Sequence, residues 1–77
     1  MANMVIYKVQ VGAYLLKANA NNVLKKLKKK GFNPILVKSG KLYKVQVGAY
    51  SKIENAQNIQ KKLKNFGFKS IIVEYTS

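Results

Sequence analysis

The feature that most constrains this chain is a repeat. The octapeptide YKVQVGAY runs from Tyr7 to Tyr14 and again from Tyr43 to Tyr50. At the same offset of 36 residues, the distance from Tyr7 to Tyr43, the likeness continues without a gap. Asn19-Ala20 matches Asn55-Ala56, Lys25-Lys26-Leu27-Lys28 matches Lys61-Lys62-Leu63-Lys64, Gly31-Phe32 matches Gly67-Phe68, and Ile35 to Val37 matches Ile71 to Val73. The internal repeats are 7–37 and 43–73. Two units are too few for a solenoid, so each must bury its apolar face against the other. A chain of 77 residues also has room for only one core, which predicts a single domain over 5–75.

Each unit changes period along its length. Val5, Tyr7, Val9 and Val11 alternate with Ile6, Lys8, Gln10 and Gly12, as in a strand buried on one face. Ala20, Val23, Leu24 and Leu27 then follow helical spacing, as do Ala56, Ile59, Leu63 and Phe66. Ser51-Lys52-Ile53-Glu54 reads as a capping box for the second helix, while Leu15-Leu16-Lys17-Ala18 offers none, so the first helix is expected to fray more. Gly31 and Gly67 stand where left-handed C-caps are wanted, and Ile35–Val37 and Ile71–Val73 supply short β-branched strands. Lys38-Ser39-Gly40-Lys41 closes a hairpin between the units, and Asn33-Pro34 reads as a turn into an edge strand.

The order is βαββαβ. Right-handed crossovers joined by a hairpin give an α+β, ferredoxin-like sandwich: a four-stranded antiparallel sheet of order 4-1-3-2 with both helices on one face. The two copies of the octapeptide become central neighbours about a pseudo-two-fold axis. Lys8, Gln10, Lys44 and Gln46 then emerge together on the uncovered face.

Composition narrows the chemistry. There is no cysteine and no histidine, and the only acids are Glu54 and Glu74. Thiolate and imidazole catalysis and ordinary zinc coordination are thereby removed, and Glu54 at a helix start and Glu74 in the last strand do not form a glycosidase pair. The expectation is a non-enzyme with no metal and no cofactor. The net charge of +13 points to an anionic partner, yet all fifteen basic residues are lysine, which disfavours bidentate, sequence-specific reading of nucleic acid. No apolar run is long enough to span a membrane. Met1-Ala2-Asn3-Met4 has none of the regions of a signal peptide, so export, if it occurs, is expected to be encoded outside this sequence.

The candidate site residues lie in the repeated strand. Gln10 and Gln46 offer an amide donor and acceptor suited to hydroxyl and acetamido groups. Gly12 and Gly48 read either as bulges or as bare backbone over which a ligand can lie. Tyr14 and Tyr50 read equally as packing residues and as ligands, whereas Tyr7 and Tyr43 share the parity of the core valines. The lysines of the first helix, Lys25, Lys26, Lys28, Lys29 and Lys30, read as a solvated face.

The repeated Tyr-Lys-Val-Gln-Val-Gly-Ala-Tyr, with Asn-Ala in the helix and Leu-x-x-x-Gly-Phe after it, resembles the SPOR (sporulation-related repeat) domain over Val5 to Tyr75. The internal symmetry is similar to the tandem form found in bacterial or phage cell-wall lytic amidases. The resemblance implies a peptidoglycan-binding module that recognises glycan strands lacking stem peptides and targets an attached amidase or endolysin to the wall. It further implies the sheet face as binding surface and Gln10 and Gln46 as its central residues. Location at the bacterial cell wall or outside the cell follows from the same likeness. Lys8, Lys44, Gly12, Gly48, Tyr14 and Tyr50 complete the expected glycan-binding set. The alternative is an RNA-binding module, because RNA-recognition motifs share this topology. Those motifs stack bases on aromatics of the central strands, where this sequence places lysine and glutamine.

Overall fold

A computed structural model describes residues 4–77. Its elements are β1 (Val5–Tyr14), α1 (Lys17–Lys29), β2 (Pro34–Ser39), β3 (Leu42–Tyr50), α2 (Ile53–Asn65) and β4 (Ile71–Thr76). The sheet order is β2-β3-β1-β4, all neighbours antiparallel, which is the 4-1-3-2 order expected from the duplication. The outer strands are longer than the β-branched triplets suggested. Pro34 opens β2 at an edge, where no ladder donor is required of it.

Both helices pack on one face of this sheet. Ala20 and Leu27 of α1, Ala56 and Leu63 of α2, and Val9, Val45 and Val47 of the central strands form one cluster, each at most 4% exposed. Corresponding residues of the two units thus meet in one core. Small alanines let each helix approach the sheet, and the leucines fill the space about two turns later. Both helices end in the same way. Gly31 and Gly67 have φ of 91° and 88°. Phe32 N–H donates to Leu27 O at 3.1 Å and Gly31 N–H to Lys28 O at 3.0 Å, and the bonds of Phe68 and Gly67 to Leu63 and Lys64 repeat them. These are Schellman caps, which fold Phe32 and Phe68 back onto the core.

Two expectations for the helices are corrected. The N-cap of α2 is Lys52, with no side-chain cap bond, so Ser51 and Glu54 do not form a capping box. Leu16 caps α1 in the same uncapped way, and both helices run 13 residues. The chain enters each helix one residue later than the Ser-x-x-Glu pattern requires. Phe66 is not on the buried stripe of α2 either. It is the C-cap residue, 51% exposed, and its ring meets Phe32 edge-on at 5.7 Å. The capping turn carries its side chain away from the core.

Candidate functional site: the open face of the sheet

The face opposite the helices is built by strand parity. In β1 the valines point to the core, so Ile6, Lys8 and Gln10 point outward. Gln10 lies directly opposite Gln46 on β3, at the centre of the sheet. Around this pair, Lys8 is opposite Val73 and Ile6 opposite Tyr75, while Gln46 is opposite Ile35 and Lys44 opposite Val37. Residues paired across a ladder share a face, so these side chains form one surface.

A groove of about 270 Å³ runs over this surface, lined by Lys8, Gln10, Lys44 and Gln46 in the middle, Val37 and Ser39 on one flank, and Val73, Glu74 and Tyr75 on the other. The four central side chains are half-buried. Their ammonium and amide groups rise from an apolar floor. Hydrophobic side chains bound it: Ile35, Ile71, Val73 and Tyr75 are all among the exposed large apolar residues. The Lys8 ammonium sits 4.8 Å from the centre of the Tyr75 ring. That contact is a cation–π pair and fixes the tyrosine at one end of the groove.

The repeated Gly-Ala-Tyr is placed differently from the other candidates. The β1–β3 register shifts twice, on either side of the Gln10–Gln46 pair. Val9 faces both Val47 and Gly48, and Val11 is an extra residue between the Gln10 and Gly12 pairings. Each central strand therefore carries a bulge, and each bulge reverses the parity beyond it. Tyr14 pairs with Tyr43 and Tyr50 with Tyr7, and all four pack against the core. Without the bulges, Tyr14 and Tyr50 would stand beside the glutamines.

The glycines serve those tyrosines. A Cβ at Gly12 would run into the ring of Tyr14, and a Cβ at Gly48 into the ring of Tyr50. The direction a side chain would take at Gly12 and Gly48 is thus filled by the strand's own aromatic ring, which requires glycine there without any ligand. Gly48 also has φ of 85°, which favours glycine a second time. Of the eight expected site residues, the structure brings Lys8, Gln10, Lys44 and Gln46 together in the groove. Gly12, Gly48, Tyr14 and Tyr50 lie at its margin or on the helical side.

Tyr75 is the feature that the repeat concealed. Its counterpart at the 36-residue offset is Ser39, so it belongs to no duplicated motif. Its parity with Val73 was the available signal. Among the described residues, no group of three or more His, Cys, Asp or Glu could hold a metal ion, and no helix is long and apolar enough to cross a membrane.

Comparison with known proteins agrees with this geometry. The family model of the SPOR domain matches residues 4–74. The solution structure of the peptidoglycan binding domain of the B. subtilis cell wall lytic enzyme CwlC superposes with a TM-score of 0.85 at 39% identity, covering 97% of this chain and 95% of that one. The Spor protein DedD superposes with a TM-score of 0.70 at 21% identity over 91% of this chain and 39% of that one, a likeness of fold alone. A search of curated proteins gives no match.

Proposed function

The chain belongs to the SPOR domain family, and from that premise we propose that it is a non-catalytic peptidoglycan-binding module whose ligand lies across the open face of the sheet. The observation that carries the reading is the groove itself, with Gln10, Gln46, Lys8 and Lys44 gathered on one uncovered surface. A glycan chain presents hydroxyl and acetamido groups, and a primary amide both donates to and accepts from them. Apolar side chains at the edges suit the carbon faces of the sugar rings.

The ligand is glycan lacking stem peptides. Removing a stem peptide at its amide frees a lactyl carboxylate on the sugar and removes bulk from the strand. Lys8 and Lys44 then pair with carboxylates while Gln10 and Gln46 bond neutral groups between them. The module would hold an attached wall hydrolase, of amidase or endolysin type, against the cell wall where such strands accumulate. The 39% identity to the CwlC binding domain supports this placement, and the internal symmetry supports the tandem form.

The RNA-binding alternative has no support from the family or its neighbours. The outward positions of the central strands carry lysine and glutamine, and Tyr75 stands on an edge strand.

The test is co-sedimentation with purified wall sacculi, with and without prior amidase digestion. Wild-type protein should sediment more strongly with digested sacculi. The Gln10→Ala, Gln46→Ala double variant should keep its circular dichroism spectrum and lose about 10–100-fold in affinity, as expected for two hydrogen-bonding side chains. Unchanged sedimentation by the double variant would reject the open face as the site.

A further inference from the structure

Half a turn about the Gln10–Gln46 pair exchanges the two halves of the open face, Lys8 with Gln10 for Lys44 with Gln46 and Val73 for Val37. The exchange fails at the ends of the groove. By the repeat, Tyr75 corresponds to Ser39 and Glu74 to Lys38. Tyr75, Glu74 and Ser39 all line the groove. The Lys38 ammonium does not line it and lies 5.2 Å from the centre of the Tyr43 ring, a residue packed against the core. One end of the groove therefore offers a ring and a carboxylate, and the other a hydroxyl.

This difference matters because a glycan strand has direction. A ligand with unlike ends, laid on a face of exact two-fold symmetry, binds equally well either way round, since rotation converts one complex into the other. A preference arises only from groups that the rotation does not exchange, and it equals the difference between two affinities. Tyr75 is the largest such group. Its ring is 52% exposed, and the Lys8 ammonium, 4.8 Å from its centre, holds it at the end of the groove. The C–H groups on the face of a sugar ring form an apolar surface that packs on an aromatic face. Glu74 adds a condition of charge. A peptide-stripped strand alternates a neutral amino sugar with one that bears a lactyl carboxylate, and a carboxylate brought beside Glu74 is repelled. The sugar that suits Tyr75 is the neutral one.

We propose that the open-face groove is directional: it binds a stripped glycan strand in one orientation, with a neutral amino sugar packed on Tyr75 and the other end of the bound segment at Ser39. This rests on the reading of the open face as the glycan site. It makes Tyr75 a specificity-determining residue that neither copy of the repeated octapeptide contains. The paired lysines and glutamines bind the strand in either sense, and the unlike ends choose between them.

The probe is a peptide-stripped glycan fragment just long enough to span the groove, with a nitroxide at its reducing end. Bound to the full chain, it broadens the amide signals nearest the label. Tyr75 and its ladder partner Ile6 report on one end, and Ser39 and its partner Leu42 on the other. In the wild type the broadening should favour one end about tenfold, the preference expected from one packed aromatic. Glu74→Lys, Tyr75→Ser copies the first flank onto the second, and in that variant both ends should broaden alike. Lys38→Glu, Ser39→Tyr copies the second flank onto the first and should also equalise them, with affinity kept. Equal broadening in the wild type would overturn the direction and leave the site standing, as would one-sided broadening that persists in both symmetrised variants. Broadening confined to the helical layer would overturn the open-face site and the direction with it.

Discussion

The two halves of this molecule share a backbone plan and differ at their edges. Each contributes a strand with Lys-Val-Gln-Val outward and inward in turn, a helix with a buried alanine and leucine, and a Schellman cap with a phenylalanine behind it. Their differences include Leu24 against Gln60, Pro34 against Ser70, Ser39 against Tyr75, and Lys30 against Phe66. None of these eight positions belongs to the fully buried hydrophobic cluster. The comparison separates two demands on the same chain. If the sheet face is read at its centre, it uses both copies alike, and Lys8 with Gln10 indeed matches Lys44 with Gln46. The flanks have diverged in sequence.

The largest effect should come from testing the shared part. Leu27 and Leu63 are both fully buried and occupy equivalent places. Leu27→Ala and Leu63→Ala should each lose about 2–5 kcal/mol in urea denaturation, a large fraction of the stability of so small a domain. If the two leucines are equally well packed, the two values should agree within about 1 kcal/mol, inside the spread of leucine truncations. A clear inequality would show that one half carries the fold and the other rides on it.

An intermediate effect should come from the aromatic that only one half has. Tyr75 is 52% exposed, at one end of the open-face groove, with Lys8 held against its ring. Its counterpart Ser39 lines the other end. A ring at one end and a hydroxyl at the other would give the symmetric surface a direction, so that a polar glycan chain lies in one orientation. Tyr75→Ser should weaken binding to peptide-stripped glycan by about tenfold, in the range for loss of a stacking aromatic, with little change in denaturation midpoint. Ser39→Tyr should then recover part of that loss in the double variant. Equal affinity of wild type and Tyr75→Ser would leave the face symmetric in function as well as in form.

How much of this was legible in the sequence follows from the same comparison. Whatever occurs twice could be read, because duplication with a change of period from two to 3.6 gives element order, topology and the outward parity of Lys8, Gln10, Lys44 and Gln46. The direction of Tyr14 and Tyr50 could not. Gly-Ala-Tyr signals irregular backbone, but only the register of the β1–β3 ladder shows that a bulge turns these rings toward the helices. Tyr75 was hidden for the opposite reason, since its 36-residue partner is serine and no motif drew attention to it.

The smallest effect tests a difference that the sequence suggested and the fold does not use. Ser51-x-x-Glu54 matches a capping box in the second half alone, yet the N-cap residue is Lys52, with extended φ and ψ of −115° and 129° and no side-chain cap bond. Leu16 stands in the same conformation at the start of α1. Ser51→Ala should therefore change stability by no more than about 0.5 kcal/mol, the range for exposed substitutions, where a true serine cap would lose about 1 kcal/mol. What does distinguish the two helix starts is charge: Glu54 lies in the first turn of α2, and α1 has no acid there. A carboxylate near the positive end of a helix dipole is stabilising and is screened by salt. Glu54→Gln should thus lower the urea midpoint slightly at low ionic strength and not at 1 M salt, where the Debye length falls to about 3 Å. A salt-independent loss for Ser51→Ala of capping size would instead mean that in solution α2 begins one residue earlier, at the box.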